Sequence, residues 1–253
     1  MQIFSHNPRQ WSVSGIPKET AARFIASRKA YDINPVFIHS SYLINLAAAD
    51  PVILKKSIDL LKRELDLADT LEADYVVVHT GSASGENASE GRRRAAEALR
   101  RIGADRRWKA GLLLENTAGE RGDITSRIED LVEIISEVNS PLISGITFDT
   151  CHAFAAGYDI ADTEALAGLM DKIDKLIGMD KIKLIHLNDA KKGLGSGVDR
   201  HWHIGEGEIG STGLRRLINN PAFCKIPLIL ETPKKSEEDD LRNLKTVRGL
   251  IGN

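Results

Sequence analysis

Six short apolar runs in this chain finish on residue types that ligate divalent metals. PVFIHS carries His39, DYVVVHTG His79, GLLLENT Glu115, SGITFDT Asp149, KLIHLND His186 and IPLILET Glu231. Any one of these could be a helix cap or a hydrogen-bonded core histidine. Several gathered at one rim need a cation, because carboxylates and imidazoles held together away from water require compensating charge. Two loop segments add donors. His152 follows Asp149 in FDTCHAFAAGYD, and VDRHWHIGEGEIG sets Asp199 and His201 at i, i+2, which in an extended segment is one face. Five histidines and four carboxylates exceed the four ligands of one tetrahedral zinc and could serve two or three ions. Imidazole with carboxylate and without thiolate suits zinc, manganese or iron; the histidine share puts zinc first and manganese second. His6 and His203 are read as structural or outer-layer residues, and Cys151 as a packing residue.

The elements that must position these groups follow from apolar periodicity. Strands are predicted at 1–5, 35–40, 74–81, 111–117, 144–150, 183–189 and 226–232. Amphipathic helical spacing is read at 55–73, in SEGRRRAAEALRRIGA, TSRIEDLVEIISEV, DTEALAGLMDKIDKLIG, TGLRRLINN and SEEDDLRNLKTVRGLI. Near-continuous apolar strands alternating with helices describe a parallel sheet covered on its faces. Repetition at this spacing favours a closed TIM (β/α) barrel, whose chemistry lies at the C-terminal ends of its strands. Seven strand–helix units are visible where such a barrel has eight, so the first β/α unit is expected to be lacking. No linker or low-complexity stretch interrupts the chain, and residues 1–253 are read as one domain.

Composition narrows the function. A formal net charge of −2 excludes a generally basic nucleic-acid binder but not a local basic surface. The basic run GRRRAAEALRR lies within a predicted helix and is read as a solvated outer face. Two cysteines, Cys151 and Cys224, without CxxC spacing argue for a reducing compartment. MQIFSH shows no secretory signal, and no apolar run is long enough for a membrane helix, so a cytoplasmic protein is expected.

The segments HSSYLINL, VVHTGS, LLENTAG, FDTCHAFAAGYD, HLNDAK, VDRHWHIGEGEIG and LILETP resemble, in this order, those of the endonuclease IV family of apurinic/apyrimidinic (AP) endonucleases. The resemblance runs from about residue 2 to about 233 and implies a trinuclear zinc centre. His39, His79 and Glu115 would hold one ion. Glu115 would bridge to a second ion held by Asp149, His186 and Glu231, and His152, Asp199 and His201 would hold the third. None of the nine ligand types is substituted. Two departures stand out. The family begins with one further strand and helix, about 30 residues, whose absence would leave the strands at 1–5 and 226–232 with unpaired edges. Trp202–His203 stands where a less bulky pair is expected.

The resemblance also implies the reaction: hydrolysis of the phosphodiester 5′ to an abasic site in double-stranded DNA, leaving a 3′-hydroxyl, with removal of 3′-blocking groups, in base excision repair, by a monomer. Glu115 is the residue on which catalysis would turn. Arg9, Gln10 and Trp11 in NPRQW, with Tyr42 and Leu43 in SYLINL, are similar to family segments that enter the DNA at the lesion. An abasic nucleotide lacks stacking and costs less to expose than a normal one. A sugar isomerase or epimerase on the same barrel, or a non-enzymatic lesion binder, remain alternatives. The third donor set and the two loop segments speak against the first, and complete ligation against the second.

Overall fold

The computed structural model describes every residue except Glu86, Arg121 and Asn253. Its contacts divide the chain into two compact units, Met1–Glu115 with Glu133–Gly145, and Asn116–Val132 with Ile146–Asn253.

In the first unit strands β1 (Gln2–Ile3), β2 (Phe37–His39), β3 (Tyr75–Val78) and β4 (Gly111–Glu115) pair in parallel in chain order. The register sets Ile38 beside Val76 and Val77 beside Leu113. Val76, Val77, Val78, Leu112, Leu113 and Leu114 are all buried, as a parallel sheet covered on both faces requires. Helix α2 (Pro51–Thr70) starts with Pro at its first position, while the Asp50 side chain accepts the Val52 and Ile53 N–H groups. It buries Leu60, Leu61, Leu65 and Ala68. Helix α3 (Ala88–Asp105) buries Ala95, Ala96, Leu99 and Ile102. Arg93, Arg100 and Arg101 are exposed and paired with Glu90 and Glu97, whereas Arg92 is half-buried against Glu133 and Arg94 reaches in to the Ala47 carbonyl. The basic run is therefore a solvated face only in part, at Arg93, Arg100 and Arg101.

Helix α4 (Ile128–Val138) and strand β5 (Ile143–Asp149) each run across the boundary between the units. In the second unit β5 pairs in parallel with β6 (Ile182–His186), through an irregularity between Ile146 and Thr147 that brings Asp149 opposite His186. The short helix α5 (Thr150–Ala155) follows β5 directly, and α6 (Thr163–Ile177) is capped by Asp162. At the end of α6 Gly178 takes φ 83°, a left-handed value that favours glycine, before a 3-10 turn at Met179–Lys181. Strands β7 (Asp189–Ala190) and β8 (His201–Trp202) form a small antiparallel ladder, followed by α7 (Gly210–Ile218). Strand β9 (Leu228–Ile229) pairs with β6, and α8 (Glu237–Leu250) opens on a Ser236–Asp239 capping box.

Three expectations are corrected. All the strands but β5, which keeps seven residues, are shorter than read, most of all the first and last, which keep two residues each; His79 and Glu231 thus lie just beyond their strands. A helix not read from the sequence, α1 (Lys18–Ala30), buries only Ala21 and Arg28, so it lacks the apolar stripe that marks a helix. The stretch after Asp149 is a helical turn rather than a loop. Among the described residues no helix is long and apolar enough to cross a membrane.

Candidate metal centre

The first unit gathers His39, at the end of β2, His79, one residue past β3, and Glu115, at the end of β4. Parallel pairing in register sends the three strand ends to one edge. Glu115 Oε2 lies 3.4 Å from His39 Nε2 and 3.2 Å from His79 Nε2. Four ligands at zinc–nitrogen and zinc–oxygen distances near 2.0–2.1 Å are separated by tetrahedral edges of about 3.3–3.4 Å. These donors stand apart by that length.

The second unit holds two further sets. His186 Nδ1 lies 3.2 Å from Glu231 Oε2 and 3.9 Å from Asp149 Oδ2. His152 Nε2 and His201 Nε2 are each 3.3 Å from Asp199 Oδ1 and 3.4 Å from each other. Ligand atoms of Asp149, His186 and Glu231, and likewise of His152, Asp199 and His201, all lie within 4.8 Å of one another.

The groups behind the donors aim them. His39 Nδ1 bonds the Ser40 carbonyl at 2.9 Å, His152 Nδ1 the Asn116 carbonyl at 2.9 Å, and His201 Nδ1 the Glu231 carbonyl at 3.0 Å. A carbonyl can only accept, so each ring carries its proton on Nδ1 and presents the Nε2 lone pair to its set. Asn116 accepts the Asp149 N–H at 2.8 Å and donates to the Asp149 carbonyl at 3.1 Å. Asn188 Nδ2 donates to Asp149 Oδ2 at 2.6 Å, and its Oδ1 accepts the Glu231 N–H at 2.8 Å. Neither asparagine was singled out from the sequence. The available signal was an amide directly after Glu115 and another two residues after His186, both buried. Asp189, also unread, accepts backbone N–H groups of Gly205, Gly207, Ile209 and Gly210 and so shapes the loop after β8.

Cys151 also comes within reach of Asp149 and His201. Burial, and then the Asp149 and Asp199 carboxylates, push its thiol pKa up, the opposite of what a thiolate ligand needs. His203 Nδ1 is bonded to Asn243 Nδ2 at 3.1 Å, and His6 Nε2 to Glu64 at 2.7 Å, so both are tied up structurally.

The loops after β1 and β2 lie together. Pro8 O accepts the Tyr42 N–H at 3.2 Å and the Ser41 hydroxyl at 2.7 Å. Arg9, Gln10 and Tyr42 are exposed, Tyr42 by 63%, whereas Trp11 and Leu43 are half-buried. Trp11 leans on α2, with Lys56 Nζ 5.7 Å from its ring centre, at a cleft of about 360 Å³ also lined by Leu60 and Arg63. Phe4 stands edge-on to Tyr42 and 5.6 Å from the His39 ring, linking this surface to the first donor set.

Imidazoles and carboxylates at or just past the ends of parallel strands mark a β/α barrel with a polar rim, and a family model described as a xylose isomerase-like TIM barrel matches residues 1–248. A probable endonuclease 4 of Halothermothrix orenii is 42% identical over 239 residues, 94% of this chain and 86% of that protein. Another, of Methanoculleus marisnigri, is 41% identical, covering 99% of this chain and 89% of its own length. The crystal structure of endonuclease IV from Thermus thermophilus matches with a TM-score of 0.85 at 38% identity, over 98% of this chain and 87% of that one. The chain belongs to the endonuclease IV family.

Proposed function

We propose that the protein is a metal-dependent DNA-repair endonuclease that hydrolyses the phosphodiester 5′ to an abasic site, leaves a 3′-hydroxyl and also removes 3′-blocking groups. Family membership supports an endonuclease, a hydrolase acting on DNA. The observation that carries metal-dependent phosphodiester hydrolysis is the donor spacing in sets of imidazole and carboxylate, 3.2–3.4 Å in the first and third and 3.2–3.9 Å in the second; the position of the cut rests on the family resemblance.

Three ions per chain fit these residues, zinc first, with manganese an option at some positions: one at His39, His79 and Glu115, one at Asp149, His186 and Glu231, one at His152, Asp199 and His201. When bound, such ions supply the positive charge that acidifies water and neutralises phosphate oxygens. Glu115, buried against two imidazoles, anchors the first set. Three dications carry about six charges against four carboxylates, so the loaded centre attracts a phosphodiester despite the chain's net charge of −2. The Nδ1 bonds of His39, His152 and His201 fix the ring orientations before substrate arrives, so reaching the reactive geometry needs little reorganisation.

Arg9, Gln10, Trp11, Tyr42 and Leu43 form the DNA-contacting edge. The exposed Tyr42 ring can replace the stacking partner that an abasic nucleotide has lost, and Arg9 can meet the backbone. The protein works as a single domain and a monomer in the cytoplasm, consistent with two free cysteines.

The test is incubation of the metal-loaded protein with a duplex carrying one abasic site, with and without chelator. Nicking 5′ to the lesion that chelator abolishes is expected. An intact duplex in the presence of folded, metal-replete protein would overturn the reading; retention without nicking would make it a lesion binder.

A further inference from the structure

Helix α2 buries one acid among its leucines. The Glu64 side chain is 1% exposed, and the ring of His6 above it 8%. Glu64 Oε1 accepts His6 Nε2 at 2.7 Å and the Ser41 backbone N–H at 2.9 Å. Its second oxygen and His6 Nδ1 are buried with no hydrogen-bond partner among the described residues. A carboxylate at this depth opposes folding unless paired, and the packing of α2 is already supplied by Leu60, Leu61 and Leu65. What the acid adds is a tie between two loops. His6 leads through Pro8 into Arg9, Gln10 and Trp11, and Ser41 leads into Tyr42 and Leu43. The same loops meet again at the Pro8 carbonyl, which accepts from Ser41 and Tyr42.

We infer that the His6–Glu64 pair is a positioning device that holds the loop of Arg9–Trp11 in register with the loop of Tyr42–Leu43, and so serves recognition of the lesion rather than hydrolysis. This rests on the function proposed above. The pair itself supplies no donor to the metal sets. Without His6 the buried Glu64 oxygen keeps only the Ser41 N–H, and its uncompensated charge draws water into the joint between the loops. Glu64→Gln keeps an oxygen at the same place for both donors, so it should preserve the register.

The experiment compares His6→Leu and Glu64→Gln in the full, metal-loaded chain, by nicking kinetics on the abasic duplex, metal content, and acrylamide quenching of Trp11 in a Trp108→Phe, Trp202→Phe background. His6→Leu should raise KM about tenfold, leave kcat within about twofold and metal content unchanged, and make Trp11 more quenchable. Glu64→Gln should stay near the parent on all readouts. If His6→Leu does not fold, His6→Gln takes its place with the same expectation in smaller measure. Unchanged KM and quenching would overturn the inference. So would a fall in kcat or metal content at constant KM, or a Glu64→Gln variant as impaired as His6→Leu. If the parent leaves the duplex intact, the proposed function fails, while Trp11 quenching in the free protein still decides whether the tie exists.

Discussion

Asp149 caps the helical turn that carries His152: its Oδ1 accepts the His152 backbone N–H at 2.8 Å. Its other oxygen takes the Asn188 amide at 2.6 Å and lies 3.9 Å from His186 Nδ1. One carboxylate thus faces its own donor set while fixing the backbone from which His152 reaches the next. On the proposed ligand assignment Asp149 ligates as well as caps, so the amides behind it should matter nearly as much as the donors.

Replacing Asn188 with Ala removes the donor to Asp149 and the acceptor of the Glu231 N–H. A loss of about 1–3 kcal/mol is expected, the cost of stranding buried polar groups. Denaturant unfolding of chelator-treated protein measures it; stability equal to wild type would show that these bonds hold nothing in place.

Glu115→Ala should reduce nicking at least about 100-fold, because several kcal/mol of metal-dependent stabilisation depend on the first donor set. Metal content should fall in the same variant. Retention of more than a few percent of activity would remove Glu115 from the mechanism.

Elemental analysis of the active protein should find more than one ion per chain, with zinc predominating. Chelation should lower Tm as well as activity, since ions that bind only the folded state stabilise it by mass action. A reproducible value of one ion or fewer in active protein would rule out the three-ion assignment.

Tyr42→Ala should raise KM for the abasic duplex about tenfold through lost stacking and change kcat little. Because Tyr42 is 63% exposed, stability should hardly change. An effect on kcat alone would move this residue from DNA contact to the chemistry.

Stability should also report on Glu64. Burial, the largest influence, raises its carboxyl pKa, with His6 and the Ser41 N–H opposing. A carboxyl with a folded pKa above its unfolded one contributes stability that is full below the unfolded value of about 4.5 and is lost as pH rises through the folded value. Glu64→Gln stays neutral, so in chelator-treated protein its stability relative to wild type should increase from about pH 4 to about pH 7. A flat or falling difference would contradict the assignment.

Much of this was legible in one dimension. Buried parallel strands announce themselves as apolar runs, and the ends of paired strands come together, so His39 and Glu115, and likewise Asp149 and His186, could be read as neighbours-to-be from type and position alone. Helices α2 and α3 were legible for the same reason: each has a buried stripe. Helix α1 was not, because it buries so little that its pattern is almost uniformly polar.

The residue types in this sequence, by themselves, determined a metal-binding repertoire and the alternating β/α order, since both follow from local chemistry and hydrophobic period. Only the tertiary structure decided the partnerships. The irregularity at Ile146–Thr147 sets Asp149 opposite His186, backbone carbonyls choose the ring nitrogen each histidine presents, and Asn116, Asn188 and Glu64 join segments tens of residues apart. Hydrogen bonds act over about 3 Å and are blind to sequence separation, so such partners become visible only once the chain has folded around them.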